Sequence, residues 1–280
     1  MSLVKLDVQA ALGHKLIADL TQDDFLVLDE GQPAPIVYFG REAEPLWVLL
    51  LLDVSGSMRR RLKEMAAASR RALAALRPGD RVAIMLFSRN TALHTPFTAD
   101  PAAVSTRIGS ALEEKGLGSG TQINLSVIAA ADHLAKILDN EPGRRAIVIL
   151  TDNAGLNYQA PDEDVLRSLY KADAVLNAIV TPDAKPPKPL DAGRYVNPDF
   201  TPPDVFHLAN STGGDVARAS NAGDAFQRMM ESIRTRYSLH CHAAEGPSGT
   251  FRRIQVQLTA EARRRYPRAE LRARAGYYLP

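Results

Sequence analysis

An unbroken apolar run, Leu46-Trp47-Val48-Leu49-Leu50-Leu51-Leu52, stops abruptly at Asp53-Val54-Ser55-Gly56-Ser57. With no polar alternation, and at that length, it reads as a strand covered on both faces, with Asp53 at its carboxyl end. The period then changes. Met58, Leu62, Met65, Ser69, Leu73 and Leu76 recur at helical spacing while Arg60, Arg61, Glu64, Arg70 and Arg71 fill the other side, predicting an amphipathic helix that Arg77-Pro78-Gly79-Asp80 ends. Further on, Arg81 to Ser88, Ala146 to Thr151 and Ala174 to Val180 read as strands. Asp100 to about Lys115, Gln122 to Leu138, Glu163 to Lys171, Asp204 to Ser211 and Asp224 to Arg234 read as helices. Strands alternating with helices over short connections predict an α/β fold: a doubly wound, mostly parallel central sheet with helices on both faces.

The two ends of the chain have a different texture. Val4 to Leu12, Phe25 to Leu28 and Ile36 to Phe39 are short apolar stretches, with a capped turn at Leu20 to Phe25 and a second turn at Glu30-Gly31-Gln32-Pro33. Strand character returns at Tyr237 to Ala243, Phe251 to Leu258 and Glu270 to Tyr278. Neither end is large enough to bury a core alone. The expectation is a small β-domain formed by residues 1–44 and 237–280 pairing with each other, with an α/β domain, residues 45–236, inserted between them.

Composition narrows the function classes. A chain of 280 residues, 45% hydrophobic and 24% charged, with a net charge of +2, has no broad electrostatic pull toward nucleic acid or anionic lipid. No nucleic-acid partner is expected. No apolar run reaches the length of a membrane span, so direct membrane insertion is not expected, and the N-terminus lacks the basic and apolar segments of a signal peptide. The basic clusters Arg59 to Arg61 and Arg263 to Arg265 read as solvated faces. The single cysteine, Cys241, leaves no intrachain disulfide and no cysteine-based zinc site.

The candidate chemistry sits where the apolar run ends. Asp53, Ser55 and Ser57 alternate with small or apolar residues, so one tight turn can aim three oxygens at a point while Gly56 relieves the backbone. Carboxylate and hydroxyl oxygens suit magnesium, manganese or calcium. Taken alone, the motif is better read as a turn that caps the next helix. A second buried strand, however, also delivers a carboxylate, Asp152, to the same expected rim, where ligands bind in open α/β sheets. Three other features stand nearby in kind. Gly116-Leu117-Gly118-Ser119-Gly120-Thr121 is a glycine-rich loop but a poor phosphate loop, since no Gly-Lys-Ser or Gly-Lys-Thr follows. Pro182 to Pro203 is a long proline-rich insert that leaves the same rim. His240 and His242 would point the same way from a strand, an arrangement that permits metal binding but is more often plain strand structure.

Together these residues resemble the von Willebrand factor A domain, whose metal-ion-dependent adhesion site joins an Asp-x-Ser-x-Ser turn to a distant Thr and a distant Asp. In this sequence those are Asp53, Ser55, Ser57, Thr121 and Asp152, and the resemblance spans about Pro45 to Arg236. The flanking stretches Leu20 to Phe25, Phe251-Arg252-Arg253-Ile254 and Arg272 to Tyr277 resemble a bacterial group of VWFA-related proteins. The resemblance implies a Rossmann-like domain and a magnesium ion, with manganese or calcium as alternatives. Asp53 and Asp152 would hold it directly or through water, and the three hydroxyls would add neutral oxygens. It further implies a non-enzymatic adhesion-type module whose partner protein offers an Asp or Glu carboxylate, and export to the periplasm or cell exterior, with a cytoplasmic location left open. Arg89 to His94, Asn157-Tyr158 and the proline-rich insert are the expected selectors of the partner. One departure is Asn153, where relatives often carry glycine.

Two other functions compete. A magnesium-dependent phosphohydrolase also begins with an aspartate after an apolar strand, but its second carboxylate would fall where Ser55 stands. A structural module with a vestigial metal site is the other. A serine hydrolase is disfavoured because no Gly-x-Ser-x-Gly elbow occurs. Partner identity, oligomeric state and any movement of the last helix, Asp224 to Arg234, are not legible.

Overall fold

The computed structural model describes residues 2–13, 15–41, 44–137, 141–188, 197 and 199–280. The chain begins with β1 (Leu3–Leu12), β2 (Lys15–Leu16), β3 (Phe25–Asp29), β4 (Gln32–Ala34) and β5 (Ile36–Arg41). Next come β6 (Leu46–Asp53), α1 (Arg59–Leu73), β7 (Arg81–Phe87), β8 (Thr91–Thr98), α2 (Pro101–Ser110), α3 (Ile123–Ile137), β9 (Arg144–Thr151) and β10 (Asn157–Tyr158). They are followed by α4 (Asp162–Lys171), β11 (Ala174–Val180), β12 (Phe200–Thr201), α5 (Val205–Thr212), β13 (Val216–Arg218) and α6 (Ala222–Arg234). The chain closes with β14 (Tyr237–His242), β15 (Phe251–Leu258), α7 (Ala260–Arg265), β16 (Glu270–Arg272) and β17 (Gly276–Tyr278). The protein is thus an α/β protein. The expected end of the third helix, Leu138, and residues 189–196 and 198 of the proline-rich insert lie outside the described residues.

The central sheet has the order β13-β11-β9-β6-β7-β8. Its neighbours are parallel except for β8, which returns antiparallel to β7. The apolar run that opens the sequence is the middle strand β6, and its unbroken hydrophobicity follows from burial on both sides. Leu46, Val48, Leu50 and Leu52 pack in one cluster with Leu62 and Met65 of α1, Val104 and Ile108 of α2, and Phe226 and Met229 of α6. Leu49 and Leu51 pack in another with Ile123 and Val127 of α3, Val165 and Leu169 of α4, and Val205 and Leu208 of α5. Register aligns the strand ends. Asp53 lies opposite Phe87, Leu52 opposite Leu150, and Thr151 opposite Val180. One edge of the sheet therefore carries every loop that follows a parallel strand, and the chain leaves β6 toward β7 on one side while β9 lies on the other. That reversal opens a crevice at the ends of β6 and β9.

The terminal segments pair with each other. One sheet runs β16-β1-β14-β5, and β2 also pairs with β1. A second runs β17-β15-β3-β4. Val4, Leu6 and Val8 meet Val27, Tyr237, Leu239, Ile254 and Tyr277 in a third apolar cluster. The expected strand Glu270 to Tyr278 is two strands instead. Its first half pairs with β1 and its second with β15, so the chain crosses between the two sheets at Ala273-Arg274-Ala275. The turn at Glu30-Gly31 is a tight hairpin with φ of 48° and 81°, and Gln32 and Pro33 belong to the return strand.

Three further expectations change in detail. The first helix ends at Leu73, where Asp80 takes over the chain by accepting from the backbone N–H of Arg77 at 2.7 Å and of Leu46 at 2.8 Å. The second helix ends at Ser110, followed by a single tighter turn, Ala111–Glu113. The basic clusters are only partly solvated. Arg61 bonds Glu64 at 3.1 Å and the Ser220 carbonyl, Arg263 bonds the Ala269 carbonyl at 2.7 Å, and Arg265 pairs with Asp24.

Candidate metal centre

Asp53 is the last residue of β6 and is fully buried. Its Oδ1 accepts from the Ser55 backbone N–H at 2.9 Å and its Oδ2 from the Thr151 hydroxyl at 2.9 Å. This is the turn that the short polar spacing anticipates, with a carboxylate folding the chain back over itself. Ser55 Oγ then stands 3.1 Å from Ser57 Oγ, and Ser57 donates to Asp152 Oδ2 at 2.7 Å. Asp152 follows β9 directly, and its Oδ1 accepts from the Ala154 N–H at 3.0 Å. Four of the five expected residues are therefore linked across the crevice, Ser55, Ser57 and Asp152 by side-chain oxygen contacts and Asp53 through the Ser55 backbone N–H.

Thr121 stands on the same rim without joining these contacts. Among the described residues no side-chain hydrogen bond links it to the other four. Its loop is fixed from two directions. Ser88, just past β7, donates to the carbonyls of Gly118 at 3.0 Å and Gly120 at 2.7 Å, and its own carbonyl accepts from Gln122 N–H at 3.0 Å. On the other side Gly155 packs so closely that a Cβ there would meet the Thr121 carbonyl oxygen at 2.5 Å. A cleft of about 270 Å3 opens beside Ser55, lined also by Ser88, Glu114, Lys115 and Gly118.

The electrostatics favour a cation. Burial pushes the Asp53 carboxyl up to about 6, helped by the nearby Asp152, against the pull of its bonds to Ser55 and Thr151. Among the described residues no lysine, arginine or histidine forms an ion pair with Asp53 or Asp152. The donor set is entirely oxygen, two carboxylates and three hydroxyls. Contacts of 2.7 Å and 3.1 Å between neighbouring donors match the edge of an octahedron with metal–oxygen bonds of about 2.1 Å, which is about 3 Å. The residues thus fit a hard divalent cation. No group of three or more His, Cys, Asp or Glu side chains suited to a metal occurs among the described residues, and this set, with two carboxylates, is of a different composition.

Several supporting residues were not anticipated. Thr151 belongs to the apolar strand pattern, yet its hydroxyl also accepts from the Asn153 N–H at 3.2 Å. Asn153 has φ of 57°, and its side chain accepts from Val205 N–H at 3.2 Å and donates to the Lys185 carbonyl at 2.9 Å. The left-handed conformation is one that glycine adopts freely and asparagine tolerates better than most residues. Of the expected selectors, Tyr158 is exposed and pairs with Phe200 at 5.0 Å between ring centroids. Asn157 is buried instead, accepting from Asn124 N–H at 3.0 Å, so it shapes the loop from beneath. His240 stacks on Tyr38 at 4.5 Å while His242 is exposed, the arrangement of ordinary strand residues.

The α/β sheet thus gathers an oxygen-only cluster at the reversal point of its strands. Residues 48–155 match the family model of the von Willebrand factor type A domain. Two solved structures share its fold. One is an aerotolerance-related membrane protein from Bacteroides fragilis NCTC 9343 with multiple mutations to serines, 20% identical, with a TM-score of 0.50 over 67% of this chain and 98% of that one. The other is the conserved hypothetical protein BatB from Bacteroides thetaiotaomicron, 17% identical, with a TM-score of 0.51 over 67% of this chain and 97% of that one. No curated protein matches the sequence.

Proposed function

We propose that the protein is a non-enzymatic, metal-dependent protein-binding module whose cation is held by Asp53, Ser55, Ser57, Thr121 and Asp152. The observation that carries this reading is the run of contacts from Ser55 through Ser57 to Asp152 beside a buried, unpaired Asp53. A bound magnesium ion, or manganese or calcium, supplies a Lewis-acidic position open to one outside oxygen. Asp53 and Asp152 offset its charge, Ser55 and Ser57 present neutral oxygens, and Thr121 waits on the far side of the crevice on a loop clamped by Ser88 and Gly155. The partner contributes an Asp or Glu carboxylate. Exposed Tyr158 and Phe200 and the loop around Arg89 frame the approach and select among acidic partners.

The same proposal takes the central sheet as a doubly wound, Rossmann-like domain of residues 45–236. A small β-domain of residues 1–44 and 237–280 supports it, a division favoured by the separate apolar clusters. Export to the periplasm or cell exterior is part of the proposal and rests on the resemblance of the flanks. No helix among the described residues is long and apolar enough to cross a membrane.

The test is calorimetric titration of magnesium, manganese and calcium into metal-stripped protein, with Asp53→Ala and Thr121→Ala as controls. Saturable binding to the wild type and its loss in both variants is expected, with stabilisation by mass action of about 2.7 kcal/mol at a hundredfold excess over Kd. A folded wild type that binds none of the three would overturn the metal-dependent reading and leave a structural module.

A further inference from the structure

At the opposite edge of the central sheet a cleft of about 460 Å3 opens between α4 and the terminal strands β1 and β17. Asp173, on its floor, immediately precedes β11, whereas Thr151 lies opposite Val180, the last residue of that strand. A strand of that length spans about 20 Å, so the cleft is separate from the Asp53 crevice. Its volume falls in the range of small-molecule sites, and its position between layers of the fold is where such sites concentrate.

The lining joins apolar walls to uncommitted positive charge. Leu3, Val4 and Leu279 provide apolar surface, and Tyr170, Tyr277 and Tyr278 provide ring faces and edges. Arg274 is already engaged. It lies 4.7 Å from the ring centroid of Tyr170, pairs with Asp173 at 2.9 Å and donates to the Tyr170 carbonyl at 3.2 Å. Asp173 is the one acidic side chain among the lining residues, and Arg274 offsets it.

Arg167 and Lys171 remain. They stand four residues apart on α4, both line the cleft, both are exposed, and among the described residues neither has an ion-pair partner. Like charges at this spacing repel on a helix. Arg167 is nevertheless held in place, its guanidinium 4.5 Å from the ring centroid of Tyr278. That stacking orders the planar donor fork while leaving its edge free, the arrangement suited to a bidentate oxyanion.

We infer that this cleft binds a small organic oxyanion, a carboxylate or phosphate monoester carrying an apolar or aromatic body. The head group meets Arg167 and Lys171, and the body lies against Tyr278, Leu3 and Leu279. The cations alone would attract any anion, whereas the apolar walls should reward one with a hydrophobic body.

Phenylacetate, phenyl phosphate and inorganic phosphate are titrated into the full chain by calorimetry, with ring resonances of Tyr170 and Tyr278 followed by NMR. Saturable binding of at least one aromatic probe is expected, about ten-fold or more tighter than inorganic phosphate, with shifts at both tyrosines. The tighter of the two aromatic probes identifies the head group. Arg167→Ala should weaken that probe by about ten-fold or more and Arg167→Lys by less, because a lysine keeps the charge and loses the fork. Lys171→Ala reports independently. Asp53→Ala should leave probe binding unchanged. Absence of saturable aromatic binding, equal binding of inorganic phosphate, or binding undiminished in folded Arg167→Ala and Lys171→Ala proteins would overturn the inference.

Discussion

Under the proposed metal-binding reading Asp53 carries two opposed demands, since its carboxylate is buried where it anchors the turn yet would have to be charged to hold a cation. Burial raises its folded pKa to about 6, above the ordinary 3.8. The folded state then binds more protons than the unfolded state between about pH 4 and 6. The stability this group contributes is full below pH 4 and is lost as pH rises through 6, at up to about 1.4 kcal/mol per pH unit. We predict that metal-free wild type loses stability relative to Asp53→Asn as pH is raised from 4 to 7, measured by urea denaturation at each pH. A constant difference would count against a buried, proton-binding Asp53. The five residues proposed as oxygen donors could be singled out because their chemistry and spacing survive in one dimension. Thr151 and Asn153 could not, because a hydroxyl at a strand end and an asparagine in a loop acquire meaning only when φ of 57° and the bond to Asp53 are known.

The loops after β6 and β9 and the loop before α3 form the site as elements, and Gly155 sets their separation. A Cβ there would meet the Thr121 carbonyl at 2.5 Å, which forces the two loops apart. Gly155→Ala should therefore weaken magnesium binding by about ten-fold or more at a stability cost of roughly 1–3 kcal/mol. Calorimetry paired with thermal melting checks both, and unchanged affinity would show that Thr121 does not depend on this contact. Elements with a full period were legible, including β6, α1, β9, β11 and α4. Strand β8 was not, because it is a sheet edge with Pro96 and only Thr95 deeply buried, so it lacks the apolar alternation of a central strand. The short strand β13 and the one-and-a-half-turn helix α7 were missed for want of length.

At the scale of the molecule, buried arginines join the central sheet to the terminal strands. Arg144, at the start of β9, donates to the carbonyls of Ile233, Arg234 and Arg236 at 3.0–3.1 Å and so caps α6 just before the chain enters β14. Arg144 also pairs with Asp7 of β1 at 3.8 Å, and half-exposed Arg272 of β16 pairs with Asp215. We predict that Arg144→Ala costs roughly 3 kcal/mol or more, because three buried carbonyls lose their donor. In wild type, fluorescence of Trp47 on β6 and far-UV circular dichroism should report a single transition. Separate midpoints would show that the terminal strands unfold on their own.

The sequence by itself determined that the chain is α/β, that β6 is covered on both faces, that Asp53 ends one buried strand and that Asp152 directly follows another. Each of these follows from local periodicity, which burial imposes residue by residue. Only the tertiary structure decided that Ser57 reaches Asp152, that Gly155 presses on Thr121, and that the last strand splits between two sheets around Arg274. It also decided that Arg167 lies over Tyr278 beside an open cleft. These are contacts between residues far apart in the chain, and pairing register and side-chain packing, which no local pattern encodes, bring them together.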